Sequence, residues 1–311
     1  MSVTVRSPAK VILCGEHAVV YGVPAIAFPV YGLMSQAVVI PHDGAFRIRA
    51  EATQEILSLS DFTHPLIALA AAFAQQTGIS LPNVEVVLTS EIPVASGLGS
   101  GASIAATLVK ALNRYCQTGL DLAALNNLVF ESEKHFHGTP SGIDNTTVVY
   151  GQPVYFVKGQ APQPVRFQGE YYLLIANTGI TANTMLTVAA VRQRYEADRI
   201  TVQHTLDQIG ALVIQARTAL ESGDGVTLGG LLTENHGHLQ QLGVSLPLLD
   251  DLVSAALAAG ALGAKLSGGG GGGNMIALVT PETHEAVKVA LSSTGAVQVV
   301  ETRLTPTEAN R

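Results

Sequence analysis

Tryptophan is absent, cysteine occurs twice, and charged residues make up only 13% of the 311 positions. Two cysteines, Cys14 and Cys116, cannot build a disulfide framework, and neither sits in a metal-ligand spacing, so a reducing cytoplasm is the expected compartment. Basic residues number 17 against 24 acidic ones, a net charge of −7, which leaves no global positive field to hold a nucleic acid. No nucleic-acid partner is expected. The opening MSVTVRSPAK lacks the basic start and apolar core of a targeting peptide. With 47% hydrophobic residues a membrane segment has to be tested for, and the stretch from Ala18 to Pro41 carries no charge. Gly22, Pro24, Pro29 and Gly32 interrupt it, so it reads as consecutive buried strands with turns, and no membrane partner is expected.

What the chain does contain is a changing period. Short apolar runs (VTVRS, KVILCG, AVVI, FRIRA) predict strands at the start, and PLIALAAAFAQQTG then takes helical spacing and stops at Gly78. NVEVVLTS predicts a strand, IAATLVKALNRYC and DLAALNNLVFESEKHF predict helices, and NTTVVYG with PVYFV reads as a strand pair. The second half is mostly helical, with helices expected over about Asn183–Arg199, Leu206–Leu220 and Leu246–Ala259, and it closes as strand NMIALV, helix PETHEAVKVALSS and strand AVQVVETRL. The loop-like GQAPQPVRFQGE suggests a boundary between an N-terminal domain, 1–170, and a C-terminal one, 171–311.

Small residues crowd between the strand NVEVVLTS and the helix that follows: Pro93, Val94, Ala95, Ser96, Gly97, Leu98, Gly99, Ser100, Gly101, Ala102. Glycines let backbone N–H groups converge, and a helix start adds a positive dipole end, so such a loop can wrap a di- or triphosphate without a cationic side chain. It is not a Walker loop, because the chain contains no Gly-Lys pair, and it comes after too many strands for a dinucleotide fingerprint.

SPAKVILCGEHAVVYGVPAIA, PVASGLGSGAS, HGTPSGIDN and AKLSGGGGGG, in that order, resemble the motifs of the GHMP small-molecule kinases, and the likeness is strongest to the members that phosphorylate mevalonate. It covers essentially the whole chain. The resemblance implies an α+β two-domain GHMP kinase fold, with an N-terminal domain like ribosomal protein S5, a ferredoxin-like C-terminal domain and the active site between them. It implies ATP-dependent phosphorylation of the 5-hydroxyl of mevalonate, with Mg²⁺ as cofactor and ATP and mevalonate as the molecules bound. A homodimer is compatible with it. The runners-up are a GHMP kinase for another small alcohol (phosphomevalonate, homoserine or a sugar) and a relative that kept the fold without the chemistry. A phosphorylated acceptor would call for a basic cluster that the chain does not show, and a non-enzyme would have no need of Glu133 and Asp144.

The resemblance also assigns residues. By composition Asp144 is an ordinary turn aspartate; in HGTPSGIDN it matches the catalytic base. Lys10, one of few charges in an apolar region, matches a lysine set near that aspartate and the reacting hydroxyl, where a cation favours the ionised acid. Glu133 matches a Mg²⁺ ligand, and its hard carboxylate oxygen suits that ion. Where the family loop has two serines this chain has Ser100-Gly101, which leaves the metal-binding hydroxyl to Ser100, or to Ser103 one turn along. Glu16 and His17, otherwise readable as a satisfied turn, match substrate contacts, as do Gly142 and Thr184. Lys265, just before the glycines 268–273, is a candidate to face a phosphate. The pairs His135/His137 and His236/His238 are two residues apart, on different faces of a helix, and predict no zinc site.

Overall fold

The apolar opening, expected as two short strands, is a single strand of twelve residues, β1 (Val3–Cys14). The structure, a computed structural model, describes residues 2–94, 96–137 and 140–306, the side chains of 135–137 excepted. After β1 and a 3-10 turn at Ala18–Tyr21 come β2 (Ala25–Pro41), β3 (Arg47–Ala50), β4 (Glu55–Ser58), α1 (Pro65–Thr77) and β5 (Val84–Ser90). Then follow α2 (Ser100–Cys116), α3 (Leu122–His137), α4 (Ile143–Tyr150), β6 (Val154–Phe156), β7 (Gln163–Pro164) and β8 (Tyr171–Asn177). The rest is α5 (Thr184–Ala197), α6 (Arg199–Ser222), α7 (Gly225–Gln241), α8 (Pro247–Ala258), β9 (Gly263–Ser267), β10 (Asn274–Val279), α9 (His284–Ser293) and β11 (Gln298–Leu304).

Packing divides the chain into two compact units, and not at one point. The first takes Met1–Ala9, Leu33–Val94 and Gly99–Gly151; the second takes Lys10–Gly32, Ala95–Leu98 and Gln152–Arg311. Strands β1 and β2 each give one part to each unit, and so does the loop before α2.

In the first unit, β5 lies between β2 and β3, antiparallel to β2 from Ser35 opposite Ser90 to Pro41 opposite Val84, and parallel to β3. A parallel pair needs a crossover, and α1 lies on it. That helix starts where His64 accepts from the Leu66 N–H ahead of Pro65, and it ends at Gly78 with φ 70°. Its inner face joins α2, α3 and α4 in a core that includes Phe46, Ile48, Phe73, Val86, Leu108, Leu112, Val129 and Val148. Segment 145–150, expected as a strand, is helical in α4. The Thr146 and Thr147 hydroxyls donate to the Gly142 and Ile143 carbonyls one turn back, and burial of both threonines among α2 and α3 outweighs the β-branched preference.

In the second unit, the first part of β2 pairs with β6 and β6 with β7. A separate antiparallel sheet runs β11-β8-β10-β9, and helices α5 to α9 supply much of its core with Leu206, Ile209, Leu239, Leu252 and Leu291. Among the described residues no helix is long and apolar enough to cross a membrane.

Candidate active site

The loop from Glu91 to Gly99 joins β5 to α2 as the punctuation predicts. Gly99 has φ 71°, a left-handed conformation that costs other residues about 1–2 kcal/mol, and it stands where a side-chain cap would otherwise sit. Because α2 has neither a capping side chain nor an acid in its first turn, its N-terminal amides and dipole are open to an anion. Ser96 and Leu98 are buried and Pro93 is half-buried, whereas Ala95 lies outside the described residues. Two bonds within the second unit pin the loop: the Lys10 N–H donates to the Leu98 carbonyl at 3.0 Å, and the Asn274 side-chain amide donates to the Ser96 carbonyl.

In the first unit, Glu133 on α3 is only 3% exposed, and a Cβ on Gly101 would stand 3.3 Å from its Oε1, so the carboxylate lies against the first turn of α2. Ser103 is excluded as the alternative metal-binding hydroxyl, because it is fully buried and its Oγ donates to the Ser7 carbonyl at 3.1 Å. Ser100 lies at the start of α2.

Asp144 sits in the first turn of α4, which begins after Gly142 at φ 94°; the tight turn expected there is this helix start. Side chains around it hold the turn: Asn145 Nδ2 donates to Asn126 Oδ1 at 2.7 Å, and Asn126 Nδ2 donates to Thr146 Oγ1 at 3.3 Å. Sequence reasoning missed Asn126 and Asn145. The signal available was a pair of amides in otherwise apolar helical segments, since buried amides need partners.

In the second unit, Lys10 is 2% exposed on β1, and the strand leads into Glu16 and His17. Glu16 is turned inward, with Oε1 bound by Lys265 and Oε2 by Asn235 at 3.2 Å. Lys265 therefore serves Glu16 and not a phosphate, because its ammonium is fully buried against that carboxylate and the Leu266 carbonyl. His17 Nε2 meets the Gly269 carbonyl at 2.9 Å, and burial pushes the ring down to about 4 although that bond opposes the shift. A Cβ on Gly269 would lie 2.7 Å from Thr184 Oγ1, at the start of α5. His17, the glycine run and Thr184 are thus neighbours. Cys14 at the end of β1 is buried, and burial pushes its thiol up to about 12. His236 pairs with Asp250 at 3.0 Å, and among the described residues no three His, Cys, Asp or Glu side chains are grouped to hold a metal; the side chains of His135 and His137 lie outside these.

The arrangement offers an uncapped helix start for an anion, a buried carboxylate beside it, and an acid at a second helix start. The family model for the GHMP kinases N terminal domain matches residues 65–152, and that for the GHMP kinases C terminal matches 216–297. The chain is 34% identical to a mevalonate kinase of Pyrococcus horikoshii over 96% of its own length and 94% of that protein. It is 30% identical to the mevalonate kinase of Homo sapiens, over 94% and 90%. Among solved structures, mevalonate kinase of L. major in complex with R-mevalonate superposes with a TM-score of 0.84 at 28% identity, over 98% of this chain and 96% of that one.

Proposed function

The chain belongs to the GHMP kinases, and we propose that it transfers the γ-phosphoryl group of ATP to the 5-hydroxyl of mevalonate, giving 5-phosphomevalonate and ADP. Its two-domain α+β fold is that of the family. The observation that carries the reading is the uncapped start of α2 with the Glu133 carboxylate against it, in a chain that matches mevalonate kinases from end to end. Phosphoryl transfer asks a protein for little covalent chemistry, so positioning and charge neutralisation supply most of the acceleration.

The backbone from Ser96 to Ala102 holds the triphosphate. Asp144, in the first turn of α4, accepts the proton of the acceptor hydroxyl. Lys10 offsets the negative charge on the oxygens around the transferring group. Glu133 and the Ser100 hydroxyl fit Mg²⁺, which keeps several waters and needs one or two protein oxygens besides the phosphates. A single buried carboxylate beside the phosphate loop suits that shared ion better than an all-protein cage would. Held by Glu133 and the Ser100 hydroxyl, Mg²⁺ would supply positive charge against the phosphate oxygens. His17 and Thr184 face the acceptor.

A coupled ADP-release assay over mevalonate, phosphomevalonate, homoserine and galactose tests the substrate. Turnover with mevalonate at a kcat/KM at least tenfold above the others is expected. Turnover confined to another acceptor would replace mevalonate, and no ADP release with any of them would remove the kinase reading.

A further inference from the structure

Three side chains that ordinarily seek water are sealed inside the second unit: Glu16 is 1% exposed, and Lys265 and Asn235 not at all. They come from the end of β1, from β9 and from α7. The Lys265 ammonium takes Glu16 Oε1 and the Asn235 amide takes Oε2, so both carboxylate oxygens are held. Asn235 Oδ1 has no partner among the described residues, which makes the bond to Glu16 the polar return on burying that amide. For stability alone such a cluster is a poor choice, since apolar side chains of similar volume commonly serve as well or better. What the cluster controls is geometry. β1 is clamped to β9 by Ser267, whose Oγ accepts from the Ile12 N–H at 3.2 Å and donates to the Ile12 carbonyl at 2.9 Å. Beyond that clamp the chain turns, and His17 takes φ 60°, a backbone state that side-chain-bearing residues seldom adopt unless their surroundings enforce it. From that state its ring reaches the Gly269 carbonyl, next to Thr184.

We propose that Lys265 and Asn235 are positioning residues for the acceptor end of the site: they grip Glu16 so that its neighbour His17 is held on Gly269 beside Thr184. Glu16 then acts through His17 and touches no substrate. The inference rests on the reading of His17 and Thr184 as acceptor-facing.

The test compares the full-length chain with Lys265→Met, Asn235→Leu and the double variant Glu16→Gln/Lys265→Met. The double variant leaves no buried charge unmatched and keeps the thermal midpoint close to that of the parent. In all three, the KM for mevalonate should rise by roughly tenfold or more while the KM for ATP stays within about twofold, the signature of lost acceptor positioning. Hydrogen exchange in the ligand-free proteins should quicken over 12–20 and 266–275, in the double variant as well. A double variant with parental exchange and parental acceptor KM would overturn the proposal, and so would equal rises in both KM values. If the unaltered chain fails to phosphorylate mevalonate, the substrate reading falls. The exchange data then decide alone, quickening supporting the grip and unchanged exchange overturning it.

Discussion

Gly101 and Glu133 are set so close that a Cβ on the glycine would stand 3.3 Å from the carboxylate Oε1. That spacing puts the start of α2 and the Glu133 carboxylate on one wall, the two features proposed to hold phosphate and Mg²⁺. Gly101→Val should push the carboxylate aside and raise the Mg²⁺ concentration for half-maximal activity by roughly tenfold, whereas the smaller Gly101→Ser should keep it within about threefold. A Mg²⁺ titration at saturating ATP reads both, and an unchanged requirement in Gly101→Val would detach Glu133 from the metal.

Asp144→Asn keeps the size of the side chain and the α4 start but removes the proton acceptor. Turnover should fall by roughly 10²–10⁴-fold, the range of general base catalysis, with nucleotide affinity unchanged. Steady-state rates with a nucleotide-binding titration on the same preparation decide it. Near-normal turnover would take Asp144 out of the chemistry.

Much of this site is legible before any coordinates, and the reasons are local. A clean strand, a run of glycine and serine and a clean helix must form a loop feeding a helix start, wherever the rest of the chain goes. Lys10 and Lys265 show where that legibility stops. Both are buried cations in largely apolar strands, and in both cases burial demands an interaction, but nothing near Lys265 in sequence reveals that its partner is Glu16 at the other end of the chain. Helix α7 escaped notice for a related reason. Gly229, Gly230 and Gly237 argue against a helix by propensity, yet a Cβ on Gly229 would stand 2.2 Å from the Leu262 carbonyl, so the glycine is what lets α7 approach the start of β9. Helix α4 misleads in the opposite direction, through threonines and valines whose strand preference yields to burial on every side.

Cys14 and Cys116 should separate cleanly in a thiol-labelling experiment. With its thiol pushed up to about 12 by burial and by the charge on Glu16, Cys14 has roughly one part in 10⁴ of reactive thiolate at pH 8. Native protein treated with iodoacetamide at pH 8 should therefore carry label at Cys116, which is partly exposed, and none at Cys14 until denaturant is added. Peptide mass spectrometry reads the sites, and rapid native labelling of Cys14 would mean that the end of β1 and the ion pair beside it are open to solvent.

His17 gives the protein an acid-sensitive point that can be separated from ordinary carboxylate titration. A carbonyl accepts only, so the ring that meets Gly269 donates from Nε2. Burial first, and then the nearby Lys265 charge, hold the ring down to about 4, while in the unfolded chain it titrates near its ordinary 6.5. Between those values the unfolded state binds a proton that the folded state refuses, so stability falls as pH falls through the window and is fully present above it. Taken from pH 7 to pH 5, the difference comes to about 2 kcal/mol, or roughly 4–8 °C in thermal midpoint for a unit of this size. His17→Asn does not titrate over this interval, so its midpoint should drop less by about the same amount. Parallel thermal melts of the two proteins at pH 7, 6 and 5 measure it. Identical pH dependence would show that His17 is protonated without penalty and that its contact with Gly269 does not exclude water.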